Sequence, residues 1–306
     1  MRRMADLIAA ACSAGVGGAS VVVANVGVGN VRAGDIGTGT IGGGNVAAGN
    51  IGAGSIEIRA VSHVYAGRDG DSLALADIDV TVEPGRFVAL VGPSGCGKTS
   101  LLMMLAGLRT HSAGTILCDG RPITGPDPNR IGVVFQEANL FPWLTALDNV
   151  AFPLALRHVK PKERRGRALE MLRLVRLEEF AGRYPHELSG GMRQRVSIAR
   201  GLVQDPPVLL MDEPFAALDE QTRMAMGDEL LRIWSKTRKT VVFVTHSLTE
   251  AVYLADQVLV MSARPGRIID RIEVGLPRPR SYETMSAPAF ARLRDRIWQH
   301  IRAARA

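Results

Sequence analysis

The sequence predicts an α/β fold in which buried strands alternate with helices around a parallel sheet. Continuous apolar runs such as Phe87–Val91 and Val208–Met211 are typical of strands that are covered on both faces. A glycine-rich turn, Gly92–Gly97, follows the first of these runs and leads into a helical pattern. With 306 residues and 46% apolar content, the chain can build the core of one or two domains.

Residues 1–54 are predicted to form a Gly-rich extension that precedes the α/β region. From Asn25 a five-residue period repeats, with a turn-forming or small polar residue first and Val or Ile second. The spacing resembles that of pentapeptide repeats. The resemblance is loose, because glycine replaces the usual alanine and β-branched residues replace the usual leucine or phenylalanine. Two interpretations stay open: a flexible extension, which would include a start codon assigned too far upstream, and a short solenoid cap.

Residues 55–270 are predicted to form the main domain. The predicted strands are Ile56–Val61, Ile78–Val82, Phe87–Val91, Ile131–Phe135, Val208–Met211, Val241–Thr245 and Val258–Met261, and the predicted helices include Thr99–Leu108 and Glu163–Leu177. In the second helix Ala168, Leu172 and Val175 share one face. Because the pattern between Phe135 and Val208 is helical, we expect a helical insertion over about 137–205.

Residues 271–306 are predicted to form a linker and a C-terminal amphipathic helix. Pro277–Arg280 has the composition of an extended linker. In the basic segment that follows, a stripe of apolar residues recurs at helical spacing, namely Phe290, Leu293, Ile297 and Ile301. A helix that packs on the core is the favoured interpretation, and a helix on a membrane surface is the alternative.

The composition limits the classes of partner. The net charge of +7 suits a nucleotide binder, an RNA binder or a protein close to anionic lipid, so charge alone selects none of them. Aromatic residues make up only 5%, which argues against a stacking platform for single-stranded nucleic acid. The three cysteines are too widely spaced for a disulfide framework, which suggests a reducing compartment. No apolar run approaches the roughly 18 residues of a membrane span, and Leu7–Ala11 is too short for an export signal.

Gly92–Thr99 has the Walker A spacing of a phosphate-binding loop. Its glycines let the backbone approach phosphate oxygens closely and aim N–H groups at them. Lys98 is expected to bridge the β- and γ-phosphates, and the hydroxyl of Thr99 is expected to ligate Mg²⁺. The residues predicted to contact a nucleotide here are Gly92, Pro93, Ser94, Gly95, Cys96, Gly97, Lys98, Thr99 and Ser100. The loop lies between a predicted strand and a predicted helix, as this motif requires.

Polar side chains follow three other predicted strands. Asp212 can hold Mg²⁺ through water, and Glu213 beside it can polarise the attacking water. Gln136 can reach Mg²⁺ or that water, and His246 can contact the γ-phosphate. Taken singly, Gln136 would be a surface glutamine and His246 a structural histidine. Their positions relative to the other motifs indicate catalysis.

Leu188–Arg195 contains a second predicted phosphate site. Ser189, Gly190 and Gly191 open a helix whose first N–H groups lack partners within the helix, and such a terminus attracts anions. The helical insertion is expected to carry these residues far from Lys98, so they can serve only a phosphate bound elsewhere. A head-to-tail dimer satisfies both sites, with each nucleotide between the phosphate loop of one copy and the Ser189 segment of the other.

In this order, the motifs resemble those of the ATP-binding cassette (ABC) ATPases over roughly residues 56–270. The resemblance rests on the Walker A loop, Gln136, Leu188–Met192, the Walker B strand Val208–Glu213, Ala216–Asp219 and His246. It implies a P-loop ABC-ATPase core with an antiparallel β subdomain, and it implies ATP and Mg²⁺ as ligands. It also assigns Tyr65 as the aromatic residue that stacks on adenine and Asp219 to the dimer interface. Ser247 stands where the family usually has aspartate, which leaves the main roles intact.

Several segments resemble, residue by residue, the sequences of the nitrate, sulfonate and taurine importer branch. They are Phe135–Trp143, Asn149–Val150, Asp212–Phe215 and Ser262–Ile268. The resemblance implies an ATP-hydrolysing subunit on the cytoplasmic face of the bacterial inner membrane. Its implied partners are a second copy, transmembrane permease subunits and, indirectly, a periplasmic solute-binding protein, with no nucleic acid. Leu140–Trp143 is expected to be an exposed apolar contact for the permease, and packing against the insertion's own helices is the alternative.

Two other classes fit the sequence less well. A soluble, non-transport ABC ATPase of DNA repair or translation would need a long coiled-coil insertion or two cassettes in one chain. A fused exporter would need its own transmembrane helices. A third hypothesis makes the repeats within 1–54 a surface-binding module and the ATPase a gate.

Overall fold

A computed structural model describes residues 53–66 and 70–304. The repeats predicted within 1–54 therefore lie outside the described residues, apart from Ala53 and Gly54. The strands are β1 (Ile56–Tyr65), β2 (Ser72–Val82), β3 (Phe87–Val91), β4 (Ala113–Cys118), β5 (Arg121–Pro122), β6 (Ile131–Val134), β7 (Val208–Asp212), β8 (Thr240–Val244), β9 (Gln257–Met261) and β10 (Ile268–Glu273). The α-helices are α1 (Lys98–Leu105), α2 (Ala146–Leu156), α3 (Pro161–Leu174), α4 (Gly190–Leu202), α5 (Glu220–Thr237), α6 (Leu248–Leu254), α7 (Tyr282–Met285) and α8 (Pro288–Ala303).

A six-stranded sheet in the order β10-β9-β3-β8-β7-β6 forms the centre of the fold. Its pairs are parallel except for β10, which runs antiparallel to β9. All five residues of β3 are buried. Phe87 belongs to the apolar cluster on one face of the sheet and Val88 to the cluster on the other. A strand covered on both faces needs apolar residues at every position, which explains its continuous apolar run.

A second sheet, in the order β2-β1-β4-β5, is antiparallel throughout. Its inward residues, among them Ile56 and Ile78, share a core with α1 and with Leu90 of the central sheet. The outward residues of β2 are exposed in alternation, as a sheet with one covered face requires. The predicted mixed α/β fold with an antiparallel β subdomain is therefore present.

The segment between β6 and β7 is helical, as the sequence predicts. It contains α2, α3, two short 3₁₀ helices and α4, and these helices pack on one another. Ala168 and Leu172 on α3 are fully buried, as is Val175 just beyond its end. The predicted ends of two helices were wrong. The helix predicted to reach Leu108 ends at Leu105, because Gly107 adopts a φ of 71°.

The second wrong boundary lies in α3, which ends at Leu174 rather than at Leu177. Arg176 has a φ of 56°, so the chain leaves the helix through a left-handed residue. The side chain of Leu177 is still buried in the same cluster as that of Leu172. The apolar residues keep a helical spacing beyond the end of the helix, and for this reason the predicted helix was too long.

The C-terminal segment packs against the core, as the favoured interpretation predicts. Phe290, Ile297 and Ile301 of α8 are buried, and Leu293 lies partly buried against the same cluster. Among the described residues, no helix combines the length and apolarity needed to cross a bilayer.

Arg280 in the predicted linker closes the carboxyl end of α6. Its Nη1 group donates to the carbonyl oxygens of Val252 at 3.1 Å, Tyr253 at 2.9 Å and Ala255 at 2.7 Å. The side chain is buried, and this burial lowers the pKa of Arg280 to about 10, so it stays charged at neutral pH. A cation at a helix carboxyl end satisfies carbonyl groups that have no partner within the helix.

We predict that Arg280→Met lowers the free energy of unfolding by about 3 kcal/mol, because buried carbonyl groups lose their charged donor. Urea denaturation of the full chain measures the change. Arg292→Met, on the exposed side of α8, is the control and should stay within about 0.5 kcal/mol of the wild type. Equal effects of the two substitutions would contradict the capping role of Arg280.

Candidate functional site

The candidate site lies where four parallel strands end. Because β3, β8, β7 and β6 are neighbours and run in the same direction, the segments that follow them meet at one edge of the central sheet. These segments begin at Gly92, His246, Glu213 and Gln136 or close to them. Ligands of open parallel sheets bind at this edge. The topology thus collects the catalytic residues that the sequence predicts.

The loop after β3 has the backbone form of a phosphate cradle. Gly95 and Gly97 have φ values of 77° and 100°, which favour glycine. A Cβ atom on Gly97 would lie 2.5 Å from Cδ2 of Leu75, so a larger residue would also collide with the antiparallel sheet. The loop then opens directly into α1, whose first N–H groups have no partner one turn earlier in the helix. This arrangement fits a phosphate group.

The ammonium group of Lys98 lies inside this loop. Its Nζ donates to the carbonyl oxygens of Gly92 at 2.9 Å and Pro93 at 3.0 Å, and the residue is only 7% exposed. Cys96 lies next to it, with Sγ at 3.8 Å from Nζ. Burial raises the pKa of the Cys96 thiol, although the nearby Lys98 opposes the shift. Cys96 therefore stays neutral at physiological pH, and no thiolate offsets the ammonium charge.

Thr99 and Asp212 form a pair of oxygen donors below the cradle. The Thr99 hydroxyl donates to Oδ1 of Asp212 at 3.2 Å, and Asp212 is 8% exposed. Burial raises the pKa of Asp212, while the hydrogen bond from Thr99 opposes the shift. In the described part of the chain, no three His, Cys, Asp or Glu side chains cluster around a metal position. Mg²⁺ usually takes one or two carboxylates together with phosphates and waters, so this donor set fits it.

Glu213 and His246 are hydrogen-bonded to each other. Nδ1 of His246 lies 2.9 Å from Oε2 of Glu213. The Glu213 N–H donates to the carbonyl oxygen of Val244 at 2.9 Å, and Glu213 has a φ of 43°. This turn directs the carboxylate across the end of β8 to the histidine. The two residues that the sequence predicts to handle the attacking water and the γ-phosphate are thus in contact.

A partly buried carboxylate close to His246 in sequence, that of Glu250, was not predicted. Glu250 accepts a hydrogen bond of 2.5 Å from the Thr245 hydroxyl, and burial raises the pKa of Glu250. Its other oxygen lies 3.6 Å from Nε of Arg223 on α5. Ser247 accepts from the Glu250 N–H at 3.3 Å and so caps α6. Because serine and aspartate are equally good caps, Ser247 in the family's aspartate position keeps this turn.

Gln136 lies at the same edge but makes no hydrogen bond to the other predicted catalytic residues in the described part of the chain. It is exposed, and α4 holds the backbone around it. Gln194 donates to the carbonyl oxygen of Phe135 at 3.2 Å. Arg200 donates to the carbonyl oxygens of Ala138 at 2.7 Å and Asn139 at 2.8 Å. The loop after β6 is therefore attached to the helical insertion.

Neither of these two α4 residues was predicted from the sequence. The available signal was Arg200 itself, because a charged residue on the apolar stripe of an amphipathic helix is rarely buried without partners. Arg200 is 7% exposed, and burial lowers its pKa to about 10. It remains charged at neutral pH and makes two short, charge-assisted bonds to the loop.

The segment Leu140–Trp143, predicted to be an exposed apolar contact, has a packed part and an exposed part. Phe141 packs against Phe152, with ring centroids 4.5 Å apart, and its N–H donates to Oδ1 of Asn149 at 2.8 Å. Asn149 is fully buried and also donates to the carbonyl oxygens of Phe141 and Leu144. Trp143 is 61% exposed. Local packing thus accounts for Phe141, while Trp143 is free to meet a partner.

The Ser189 segment begins α4, as the sequence predicts. Ser189 caps the helix, with Oγ accepting from the Met192 N–H at 3.3 Å. Gly190 and Gly191 lie beside Leu218 and Thr222. Within the described residues, none of the bonds of Ser189 reaches the cradle around Lys98. Asp219, assigned to the dimer interface by resemblance, caps α5 by accepting from the Thr222 N–H at 3.0 Å.

Tyr65 lies at the end of β1 beside the first turn of α1. Its hydroxyl is 2.7 Å from Oγ of Ser100. The guanidinium carbon of Arg109 lies 4.9 Å from the centre of its ring, and His63 contacts its ring edge-on with centroids 4.6 Å apart. The predicted adenine platform is therefore bonded to the same helix that begins with Lys98.

Comparisons with known proteins find relatives that match over most of the chain. A family model described as ABC transporter matches residues 75–216. The taurine import ATP-binding protein TauB of Rhizobium johnstonii is 49% identical over 249 residues, which cover 79% of this chain and 94% of the relative. The nitrate import ATP-binding protein NrtD of Synechocystis is 44% identical over 253 residues, which cover 81% of this chain and 95% of the relative.

The fold is also similar to that of a solved ATP-binding cassette. The dimeric structure of the cassette MJ0796 in a post-hydrolysis state, bound to ADP and Pi, superposes with a TM-score of 0.64 at 33% identity. The superposition covers 72% of this chain and all of that chain.

We predict that Asp212→Asn stabilises the protein when nucleotide and metal are absent, because the buried carboxylate carries a desolvation cost. The folded-state pKa of Asp212 is raised, so wild-type stability gains from protonation as the pH falls. The advantage of the variant should therefore be about 1 kcal/mol at pH 8 and should shrink on acidification. Thermal unfolding in EDTA measures it. A variant less stable than the wild type at pH 8 would contradict this prediction.

We predict that Arg200→Lys lowers kcat for ATP hydrolysis about tenfold and leaves KM for ATP nearly unchanged. Lysine keeps the charge but lacks the planar fork that holds two carbonyl groups, so the loop with Gln136 loses its fixed position, whereas the phosphate cradle is untouched. Steady-state kinetics separate the two constants. The control is Arg195→Lys on the same helix, whose guanidinium donates to Val175. A similar loss of kcat in both variants would contradict the role of Arg200.

Proposed function

The chain belongs to the ABC transporter family of ATP-binding proteins, and we propose that it is the ATP-hydrolysing subunit of a bacterial importer. The main support is the group of side chains at the carboxyl edge of the sheet, where the Thr99–Asp212 pair adjoins the Lys98 cradle and Glu213 contacts His246. This group combines phosphate binding, metal ligands and a base, which are the requirements of phosphoryl transfer to water.

The cradle and the metal ligands bind and orient the triphosphate in this proposal. The N–H groups at the start of α1 and the ammonium of Lys98 bind phosphate oxygens, and Tyr65 supports the adenine. Thr99 and Asp212 hold Mg²⁺, with Gln136 as a further ligand. Mg²⁺ supplies neutralisation of the phosphate charge when it is bound. Ser94, Gly95, Cys96 and the remaining loop residues contribute backbone contacts.

Glu213 and His246 act on the reacting end of the nucleotide. The Glu213 carboxylate accepts a hydrogen bond from the attacking water and orients it toward the γ-phosphate. The Nε2 edge of His246 faces the γ-phosphate, while Nδ1 lies within hydrogen-bond distance of the Glu213 carboxylate. The hydrogen bond between them sets the orientation of both side chains, because each limits the rotamers of the other.

A second copy completes the site in this proposal. The amino end of α4 at Ser189, Gly190 and Gly191 is proposed as a phosphate site for the other copy, because Ser189 bonds only within its own helix turn in the described residues. A head-to-tail dimer places it against the nucleotide on the other copy. The known dimeric cassette of similar fold supports this arrangement.

The permease is proposed to contact the loop that carries Trp143. Arg200 ties this loop to α4, so movement of the phosphate-contacting helix is transmitted to the exposed tryptophan. We propose that the subunit lies on the cytoplasmic face of the inner membrane. The solutes proposed are small anions or organic solutes of the nitrate, sulfonate and taurine type, delivered by a periplasmic solute-binding protein. The importer names of relatives at 44–49% identity support this class.

We predict that Glu213→Gln keeps ATP binding, traps the dimer and lowers ATP turnover about 10²-fold or more, because the amide cannot take the role of the carboxylate base. Gel filtration with ATP measures the dimer, and phosphate release measures turnover. Uptake of taurine, nitrate and alkanesulfonates is measured in cells that carry the variant in place of the wild type, and we expect uptake to be lost.

Glu83→Gln, in the exposed turn after β2, is the matched control and should leave all three measurements unchanged. Hydrolysis at the full rate by Glu213→Gln would remove Glu213 from its role. Full hydrolysis by the wild type with no effect of Glu213→Gln on any solute uptake would favour a soluble, non-transport ABC ATPase.

A further inference from the structure

The segment Ser262–Ile268 lies directly beneath the phosphate loop. In the sequence, its one notable feature is a resemblance to the importer branch. The Gly266 N–H donates to the carbonyl oxygen of Ala74 at 2.9 Å, and the Gly266 carbonyl accepts from the Ala76 N–H at 3.0 Å. A Cβ atom on Gly266 would lie 2.1 Å from the carbonyl oxygen of Cys96. The segment therefore touches the phosphate loop backbone to backbone, which only glycine allows at this position.

The segment Ser262–Ile268 is a turn closed by its own hydrogen bonds, and it is called the platform below. The Ser262 hydroxyl donates to the Pro265 carbonyl oxygen at 2.9 Å and accepts from the Arg267 N–H at 2.9 Å. The Ser262 N–H also donates to the Arg267 carbonyl oxygen at 2.9 Å. These bonds close the turn on itself between β9 and β10. A side chain that starts within the turn is thus held at a fixed place relative to the loop above it.

Arg264 extends from this platform to the phosphate loop. Its Nε donates to the carbonyl oxygen of Gly95 at 3.0 Å. In the described part of the chain, this is the one hydrogen bond of its guanidinium, and the side chain is otherwise exposed. Within the same described residues, neither a salt bridge nor a second carbonyl group explains its position.

The bond from Arg264 fixes one peptide plane of the cradle. A trans peptide directs its carbonyl group and its N–H group to opposite sides. Arg264 binds the Gly95 carbonyl on one side, and the N–H of Cys96 in the same plane donates to the Pro93 carbonyl oxygen at 3.3 Å on the other. Both ends of the plane are therefore held. The carbonyl oxygen, which would repel phosphate, is kept beside a cation.

Fixing this plane matters because Gly95 has little conformational preference of its own. With a φ of 77°, Gly95 adopts a backbone form that glycine can also leave easily. Restraining such a residue before the ligand arrives lowers the entropy that binding must remove, and so raises affinity. The effect acts on binding of the diphosphate part of the nucleotide and leaves Glu213 and the attacking water untouched.

We propose that Arg264 is a positioning residue of the nucleotide site, which holds the Gly95–Cys96 peptide in the form that receives the phosphates. The inference rests on the proposed function, because it assigns a role within the same ATP site. The Ser262–Ile268 segment thereby acquires a role as well, since the platform carries Arg264 to the tip of the cradle.

The test compares Arg264→Ala with Arg267→Ala in the full chain. Arg267 lies in the same turn, is exposed and has no side-chain hydrogen bond within the described residues, and its backbone bonds survive the substitution. Affinity for ADP is measured by titration calorimetry, which avoids turnover, and KM and kcat for ATP are measured in the steady state. Arg264→Ala should weaken ADP binding and raise KM about fivefold to tenfold, with kcat within about twofold of the wild type. Arg267→Ala should match the wild type.

Arg264→Lys provides the second variant, because an ammonium can donate to Gly95 without the planar fork, and its affinity should lie between those of the wild type and the alanine variant. It also carries the test if the alanine variant does not fold. Wild-type ADP affinity in Arg264→Ala, or a fall in kcat at unchanged KM, would overturn the positioning role while leaving the proposed function intact. A wild-type chain that neither binds ADP nor hydrolyses ATP would instead overturn the proposed function.

Discussion

Parallel pairing of β3, β8, β7 and β6 makes the carboxyl ends of these strands coincide, and this brings distant parts of the chain to one edge. The cradle around Lys98, the pair Glu213 and His246, and the loop with Gln136 are separated by many residues in sequence. Because hydrogen bonds between the strands set their relative positions, each segment leaves the sheet at a defined height. The turns that follow the strands then complete the placement of the side chains in the site.

Much of this arrangement could be predicted from the sequence because the signals are local. A continuous apolar run predicts a buried strand, as β3 shows, and glycines before Lys98 predict the cradle. The ends of α1 and α3 were wrong because a left-handed residue ends each helix region while burial continues beyond it. The order of the motifs, rather than any one side chain, made Gln136 and His246 recognisable.

Most of the residues that could not be predicted from the sequence act on partners that are distant along the chain. Arg200 contacts carbonyl groups some sixty positions away, Glu250 on α6 pairs with Arg223 on α5, and Arg264 reaches Gly95 across 169 positions of the sequence. None of these contacts has a periodic or spacing signal in one sequence. The position of Arg200 on an apolar stripe indicates that it has partners, but the sequence does not say which carbonyl groups they are.

The neutral thiol of Cys96 has a consequence for how the protein tolerates chemical stress. Oxidants and electrophiles attack the thiolate form of cysteine, and a buried thiol with a raised pKa is a poor target for them. A reactive sulfur at this place would close or deform the phosphate cradle on modification. Modification of the Cys96 sulfur is therefore slow, and the phosphate cradle around Lys98 keeps its shape.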